Sequence, residues 1–211
     1  MQVAIILARA LARGFACALV SALVCPALLP TPSFAQTVES LTTAAEAGDT
    51  TAQTQLGLLY LTGEGTLQAH TAAARWFHKA AEAGDPQAQN ELGRLLFTGL
   101  GGTQDPAVAL TWREQAAASG RPEYIFDFAS ALEASSDQAD MARVADLYAR
   151  AAQAGNVEAS VSLAVLYHNG AGVDQNIAEA VRLKEAGITA GNARAQNNLG
   201  QLLARGEGVE Q

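Results

Sequence analysis

The chain contains nearly the same phrase twice, and this repetition constrains its fold more than any other feature. AAEAGDTTAQTQLGLLYLTGEG begins at Ala44, and AAEAGDPQAQNELGRLLFTGLG begins 36 residues later at Ala80. The Ala-Ala-x-x-Gly core returns at Ala116 and Ala151, and a degraded copy, GITAG, begins at Gly187. A fixed period of 35 or 36 residues is typical of a solenoid, in which each unit packs only on its neighbours.

The end of each phrase predicts where one helix stops and the next begins. Gly48 and Gly84 fall where a helix needs a left-handed residue to end. The next residue, Asp49 or Asp85, is an N-cap type that starts the following helix. Pro86 then suits a first helical position, where no N–H is required. The units are therefore predicted to be pairs of helices, each about a dozen residues long.

Within each unit, the first helix is predicted to bury a stripe of small and large apolar residues. In the first unit the stripe positions are Ala52, Leu56, Gly57 and Tyr60. A glycine-rich loop follows, and the second helix carries a tryptophan at the repeat period, Trp76 and then Trp112. Both tryptophans are predicted core residues, because they recur at the repeat period. Neither helix has enough apolar surface to fold alone, so stacking of the units must bury it.

The full pattern resembles the Sel-one-like repeat, a helix-turn-helix repeat related to the tetratricopeptide repeat. The pattern is Ala-x-x-x-Leu-Gly-x-x-Tyr-x-x-Gly-x-Gly, then Ala-x-x-Trp-x-x-x-Ala-Ala-x-x-Gly-Asp. The third unit departs from it, with Phe128-Ala129 for Leu-Gly, Tyr124 for Ala, and EASSDQAD in place of the glycine loop. The resemblance implies an all-α fold, a right-handed α-solenoid superhelix.

The predicted organisation is a signal peptide, a short lead-in and a repeat domain. Residues 1–35 carry Arg9 and Arg13, then an apolar run, and end in Ser33-Phe34-Ala35 with small residues where signal peptidase cleaves. A retained anchor is the rival, but the apolar run is shorter than the ~20 residues a spanning helix needs. The lead-in is 36–43, and the repeat domain is 44–211, with units 44–79, 80–115, 116–150, 151–186 and a partial 187–211.

The amino-acid composition limits which cellular compartment and which classes of partner are expected for the chain. Both cysteines, Cys17 and Cys25, lie in the predicted signal peptide, so the mature chain would hold no disulfide. Removal of the two signal-peptide arginines leaves 11 lysines and arginines against 21 acidic residues, a net charge of −10. Such a surface repels phosphate backbones, so no nucleic-acid partner is expected. No membrane insertion is expected after cleavage, and the predicted location is the periplasm or the medium.

Residue types that carry chemistry are present without the spacing that chemistry needs. His70, His78 and His168 show no metal-ligand spacing, and the Gly-x-Gly loops lack the Lys-Ser/Thr of a phosphate cradle. Trp76 and Val181 precede Lys79 and Lys184 where a Ser-x-x-Lys motif would have serine. No cofactor, metal or catalytic residue is predicted.

The remaining candidate is a binding surface on the first helices. In proteins that this chain resembles, these helices line the concave face of the superhelix. The positions carried over as protein-binding are Leu58, Leu61, Asn90, Arg94, Phe97, Phe126, Ser130, Val165 and His168. Several are apolar where a solvated face would be polar, which favours a protein contact.

These observations predict a non-catalytic exported scaffold that binds a protein or peptide in its groove, in an adaptor or envelope-assembly role. The alternative is an envelope enzyme that acts on cell-wall peptides or β-lactams. The sequence given stops after the first helix of a fifth unit, at LLARGEGVEQ. A longer natural chain, a helix from a partner and a fraying last helix are three expectations for that point.

Overall fold

The structure is a computed structural model that describes residues 34–135 and 141–204. Within these ranges the chain forms ten α-helices and no strand, so the predicted all-α class is confirmed. The helices are α1 (Phe34–Glu46), α2 (Thr50–Thr62), α3 (His70–Glu82), α4 (Pro86–Thr98), α5 (Pro106–Ala117), α6 (Pro122–Ser135), α7 (Met141–Gln153), α8 (Val157–Asn169), α9 (Ile177–Thr189) and α10 (Ala193–Ala204). Residues 1–33 of the predicted signal peptide lie outside the described residues.

The helices stack as an α-solenoid of helix-turn-helix units. Each helix packs mainly on its neighbours in sequence, and α2 also touches α4, as α4 touches α6. The first helices of the units are α2, α4, α6, α8 and α10, and the second helices are α3, α5, α7 and α9. Among the described helices, none is both long and apolar enough to cross a bilayer.

The helix boundaries follow the capping residues predicted from the sequence. Asp49 and Asp85 accept hydrogen bonds from the backbone N–H groups of Ala52 and Ala88, at 2.9 and 2.7 Å. Gly84 has a φ of +89°, in the left-handed region that only glycine adopts freely. A Gly-Asp dipeptide therefore ends one helix and starts the next, as expected.

A glutamine after each regular glycine loop forms a repeated hydrogen bond that the sequence reasoning missed. Gln68, Gln104 and Gln175 each donate their side-chain amide to a backbone carbonyl seven residues earlier, at 2.8–2.9 Å. The acceptor carbonyl lies in the last turn of the first helix, where helical partners run out. This bond ties the loop to the helix it leaves.

The core consists of successive layers between first and second helices. Ala73, Phe77 and Leu95 are fully buried in one layer, and Val144 is fully buried in another. Gly57 lets α3 approach α2 closely, because a Cβ at this position would lie 2.6 Å from Cε1 of Phe77. Trp76 is only half-buried and packs against the edge of a core layer.

The third unit keeps the packing of the others despite its different sequence. Phe128 and Ala129 are buried in place of Leu-Gly, and Tyr124 is 8% exposed where other units have alanine. Of the divergent stretch EASSDQAD, residues 133–135 belong to α6 instead of a loop, and residues 136–140 lie outside the described residues.

The predicted lead-in, residues 36–43, is part of α1. Val38 and Leu41 of this helix pack with Ala45 against Leu56 of α2. Helix α1 therefore covers the first unit on the side where a preceding second helix would lie. The signal in the sequence was the apolar spacing of Val38, Leu41 and Ala45, which continues the helix before Gly48.

Candidate functional site

One of the nine predicted contact residues is buried in the structure, and the other eight are half-exposed. Asn90 is buried at 5% exposure, which differs from the predicted contact role. The half-exposed residues define what we call the first-helix face: Leu58, Leu61, Arg94, Phe97, Phe126, Ser130, Val165 and His168.

Three of these residues meet in a depression on the first-helix face. Phe126 and Ser130 of α6 lie opposite Val165 of α8, around a cavity of about 240 Å³. Its other lining residues are Glu133, Tyr148, Ser162 and Arg194. The depression thus combines an aromatic and a branched apolar side chain with hydroxyls, one carboxylate and one guanidinium.

Tyr148 forms the floor of this depression. Its hydroxyl donates to Oε2 of Glu133 at 2.6 Å, and its ring lies 5.7 Å from the ring of Phe126. Burial, followed by the hydrogen bond and negative charge of Glu133, raises the pKa of Tyr148 well above its ordinary value. The phenol therefore stays protonated at neutral pH and serves as a donor.

Arg194 of α10 carries the positive charge in the lining of the depression. Its guanidinium donates to the Oγ of Ser162 and lies 3.5 Å from a carboxylate oxygen of Glu158. The side chain remains 46% exposed, so part of the guanidinium faces solvent. A ligand in the depression would meet Arg194 without displacing a fully buried ion pair.

A second polar group lies under the first-helix face between α4 and α6. Asn90 donates its side-chain amide to Oδ2 of Asp127 at 2.7 Å, which links the first helices of two units. Its Oδ1 has no hydrogen-bond partner among the described atoms. The prediction missed the burial of Asn90, because repeat spacing indicates the helix face on which a residue lies but not how deeply its side chain is buried.

Arg113 of α5 occupies the floor beside this link. It donates from Nη1 to the backbone carbonyl of Asp127 at 2.9 Å, and its guanidinium carbon lies 5.7 Å from the ring of Phe97. Desolvation lowers the pKa of Arg113, opposed by the charge of Asp127. An arginine side chain keeps its charge in proteins, so the group is a cation at the base of the face.

Arg113 and Tyr148 occupy the same position of the repeat on successive second helices. The sequence reasoning did not single out this position. Phe77, Arg113, Tyr148 and Lys184 follow one another at 36, 35 and 36 residues, one on each second helix. Phe77, Tyr148 and Lys184 are at most 3% exposed. The residue at this repeat position is therefore apolar in the first unit and polar in the next three. The change is visible when the repeat sequences are aligned with one another.

At the two ends of the face the predicted residues lie apart from the depression. Leu58 and Leu61 pack against the core layer of the first two units. His168 lies in the last turn of α8, and its backbone carbonyl accepts from Gln175 at 2.8 Å. Within the described ranges, no group of three or more histidine, cysteine or acidic side chains is placed to hold a metal ion.

The fold and this face define a repeat protein of the helix-turn-helix solenoid class. The model of the Sel1 repeat matches residues 50–85, 86–120, 157–192 and 193–211, and the chain belongs to the Sel1 repeat family. The stretch between the second and third matches includes the divergent third unit. Sel1 repeats commonly mediate protein–protein interaction. No curated protein matches the chain.

Two solved structures extend the comparison. One is a protective antigen present in uropathogenic Escherichia coli strains that displays an SLR fold, with 34% identity and a TM-score of 0.78. The other is a Sel1 repeat protein from Oxalobacter formigenes, with 34% identity and a TM-score of 0.66. They align with 86% and 81% of this chain, which spans only 39% and 49% of their lengths.

Proposed function

We propose that this protein is an exported, non-catalytic scaffold that holds a segment of a partner protein against its first-helix face. The observation that carries this proposal is the depression formed by Phe126, Ser130 and Val165, which lie on two successive first helices. The lining of the depression is mainly polar, and Phe126 and Val165 are its apolar side chains. Specific contact sites combine such aromatic anchors with polar groups that fix the orientation of the partner.

The size and chemistry of the depression suit one side chain of a peptide and its adjoining backbone. Phe126 and Val165 offer apolar contact, while the half-exposed Ser130 offers a hydroxyl that can both donate and accept. A peptide backbone requires partners of both kinds. Phe97 and Arg94, one unit earlier, would extend the contact along the same face.

The same residues favour binding over catalysis. Tyr148 is the best placed reactive group, but its raised pKa makes it a poor base and nucleophile at neutral pH. Its hydroxyl is also engaged with Glu133. Export is proposed from the signal-like sequence of residues 1–35.

A blocking substitution tests the proposal. Ser130→Arg places a long side chain in the depression, whereas Thr111→Arg places the same group on an exposed position of a second helix. We expect residues 36–211 to capture a discrete partner from the native envelope, and Ser130→Arg alone to lose it with helicity intact. Equal capture by both variants would contradict the proposal, and β-lactam or cell-wall peptide hydrolysis by the wild type would favour the enzyme alternative.

A further inference from the structure

A second cavity lies between α3 and α4, away from the first-helix face. Its volume is about 400 Å³, and its apolar surface comes from Ala74 of α3 with Leu92 and Leu96 of α4. Gly101 closes one side, where a Cβ would lie only 2.8 Å from the Cβ of Ala74. The space is a shallow depression open to solvent, with room for part of a small molecule against its apolar surface.

The rim of this cavity is basic, although the protein as a whole is acidic. Arg75, His78 and Lys79 line it from one helix, and all three are exposed. His78 pairs with Glu82 at 3.5 Å. None of the ion pairs in the described part of the chain involves Arg75 or Lys79. Two positive charges therefore stand at the mouth of an apolar cavity without a carboxylate partner within ion-pair distance.

We call the line along which the second helices of successive units meet a seam. In the next unit, the protein itself closes this seam with an ion pair. Between α5 and α7, Arg143 donates to Glu114, and its guanidinium carbon lies 5.2 Å from the ring of Phe128. The equivalent positions one unit earlier are His78 and Val108, because the repeat spacing is 36 and 35 residues. Val108 is 43% exposed. The seam beside the cavity between α3 and α4 thus lacks this ion pair, and apolar surface there stays exposed to solvent.

We propose that the cavity between α3 and α4 binds an amphiphilic anion, a small molecule with an apolar body and one carboxylate or sulfonate. The apolar body would cover Leu92 and Leu96, and the anion would lie beside Arg75 and Lys79. The binding free energy would come from removing apolar surface from water and from placing an anion beside two cations that have no carboxylate partner in the described part of the chain. This site lies on different helices from the depression at Ser130, so it does not rest on the proposed function.

The probe for this test is anilinonaphthalene sulfonate, compared with phenylnaphthylamine, which has the same ring system without the sulfonate. The chain has only two tryptophans, and both are near the cavity. Trp76 lies 4.1 Å under Nζ of Lys79, and the ring of Trp112 lies 6.0 Å from that of His78. Energy transfer from tryptophan therefore detects the bound probe, and the substitutions below assign the signal to this cavity.

Two variants distinguish the contribution of the charges from that of the apolar cavity. The double variant Arg75→Gln, Lys79→Gln should weaken binding of the sulfonate by about fivefold or more and leave the neutral probe unchanged. Thr71→Phe, at the mouth of the cavity, should weaken both probes. The matched control is Arg150→Gln, the residue two units after Lys79 at the same repeat position, which lines the equivalent seam.

The expected result is preference for the sulfonate in the wild type, loss of that preference in the double variant, and wild-type behaviour in Arg150→Gln. The preference should also shrink as salt rises, because the cations are exposed. Equal affinity for the two probes in the wild type would overturn the proposal. An effect of Arg150→Gln as large as that of the double variant would overturn it too, since it would indicate non-specific attraction.

Discussion

Replacing Gly57 by alanine tests the close helix packing on which the solenoid depends. The added methyl group would lie 2.6 and 2.7 Å from Cε1 and Cδ1 of Phe77, where ordinary contact begins at 3.4 Å. The Phe77 ring is fully buried and must shift by roughly 0.8 Å against its own neighbours. Overpacking of this kind costs about 1–3 kcal/mol, and alanine returns about 1 kcal/mol of helix propensity. We expect a net loss of about 1 kcal/mol in urea unfolding followed by circular dichroism.

The chain offers a matched control at the same repeat position. Among the described residues, no side chain and no other helix comes within 4 Å of a Cβ added at Gly200 of α10, so Gly200→Ala should gain helix propensity without a clash. Phe77→Leu should relieve the clash, so the Gly57→Ala, Phe77→Leu pair should be less destabilised than the sum of its single changes. A Gly57→Ala protein as stable as Gly200→Ala, with no coupling to residue 77, would refute the packing argument.

Three further predictions concern caps, loops and pH. Asp85→Ala should lower the free energy of unfolding by about 1 kcal/mol, because Asp85 caps α4; thermal unfolding would measure it. Gln104→Ala should cost about 0.5–1 kcal/mol by urea unfolding, because the loop loses its bond to the Phe97 carbonyl; no change would show that the bond contributes nothing. Because the pKa of Tyr148 is raised in the folded state, its contribution is fully present below about pH 10 and is lost as pH rises further. Tyr148→Phe should make unfolding free energy less steep above that pH, and an unchanged slope would contradict this reading.

The helix boundaries were predictable from the sequence because capping is local. Gly84 and Asp85 act on the backbone within a few residues, and their pattern recurs once per unit. The close approach at Gly57 was predictable for a similar reason, since a missing side chain on a buried stripe means that another helix fills the space.

The depth of individual side chains in the candidate site was not predictable in the same way. Asn90 shares its repeat position with Phe126, yet Asn90 is buried on Asp127 while Phe126 is half-exposed beside Tyr148. These contacts join residues that are 37 and 22 positions apart in the sequence. They depend on which side chain the facing helix supplies, which periodicity within one helix does not specify.

The identity of the floor residues could have been found with the repeats aligned as columns. Phe77, Arg113, Tyr148 and Lys184 occupy one column, and its change from apolar to polar indicates that the units do not offer the same chemistry. Their burial is a tertiary property: Arg113 contacts Phe97 and Asp127 on two neighbouring first helices, and Tyr148 contacts Glu133 on one of them.

Site-specific photo-crosslinking tests the central claim most directly, namely that the first-helix face is the surface that binds a partner. A photoreactive amino acid would replace Ser130 in the depression or, in a separate protein, Thr111 on the second helix α5. Irradiation in the producing cells should give one discrete adduct from position 130 and none from position 111. Adducts of equal yield from both positions, or an adduct from position 111 alone, would contradict the account.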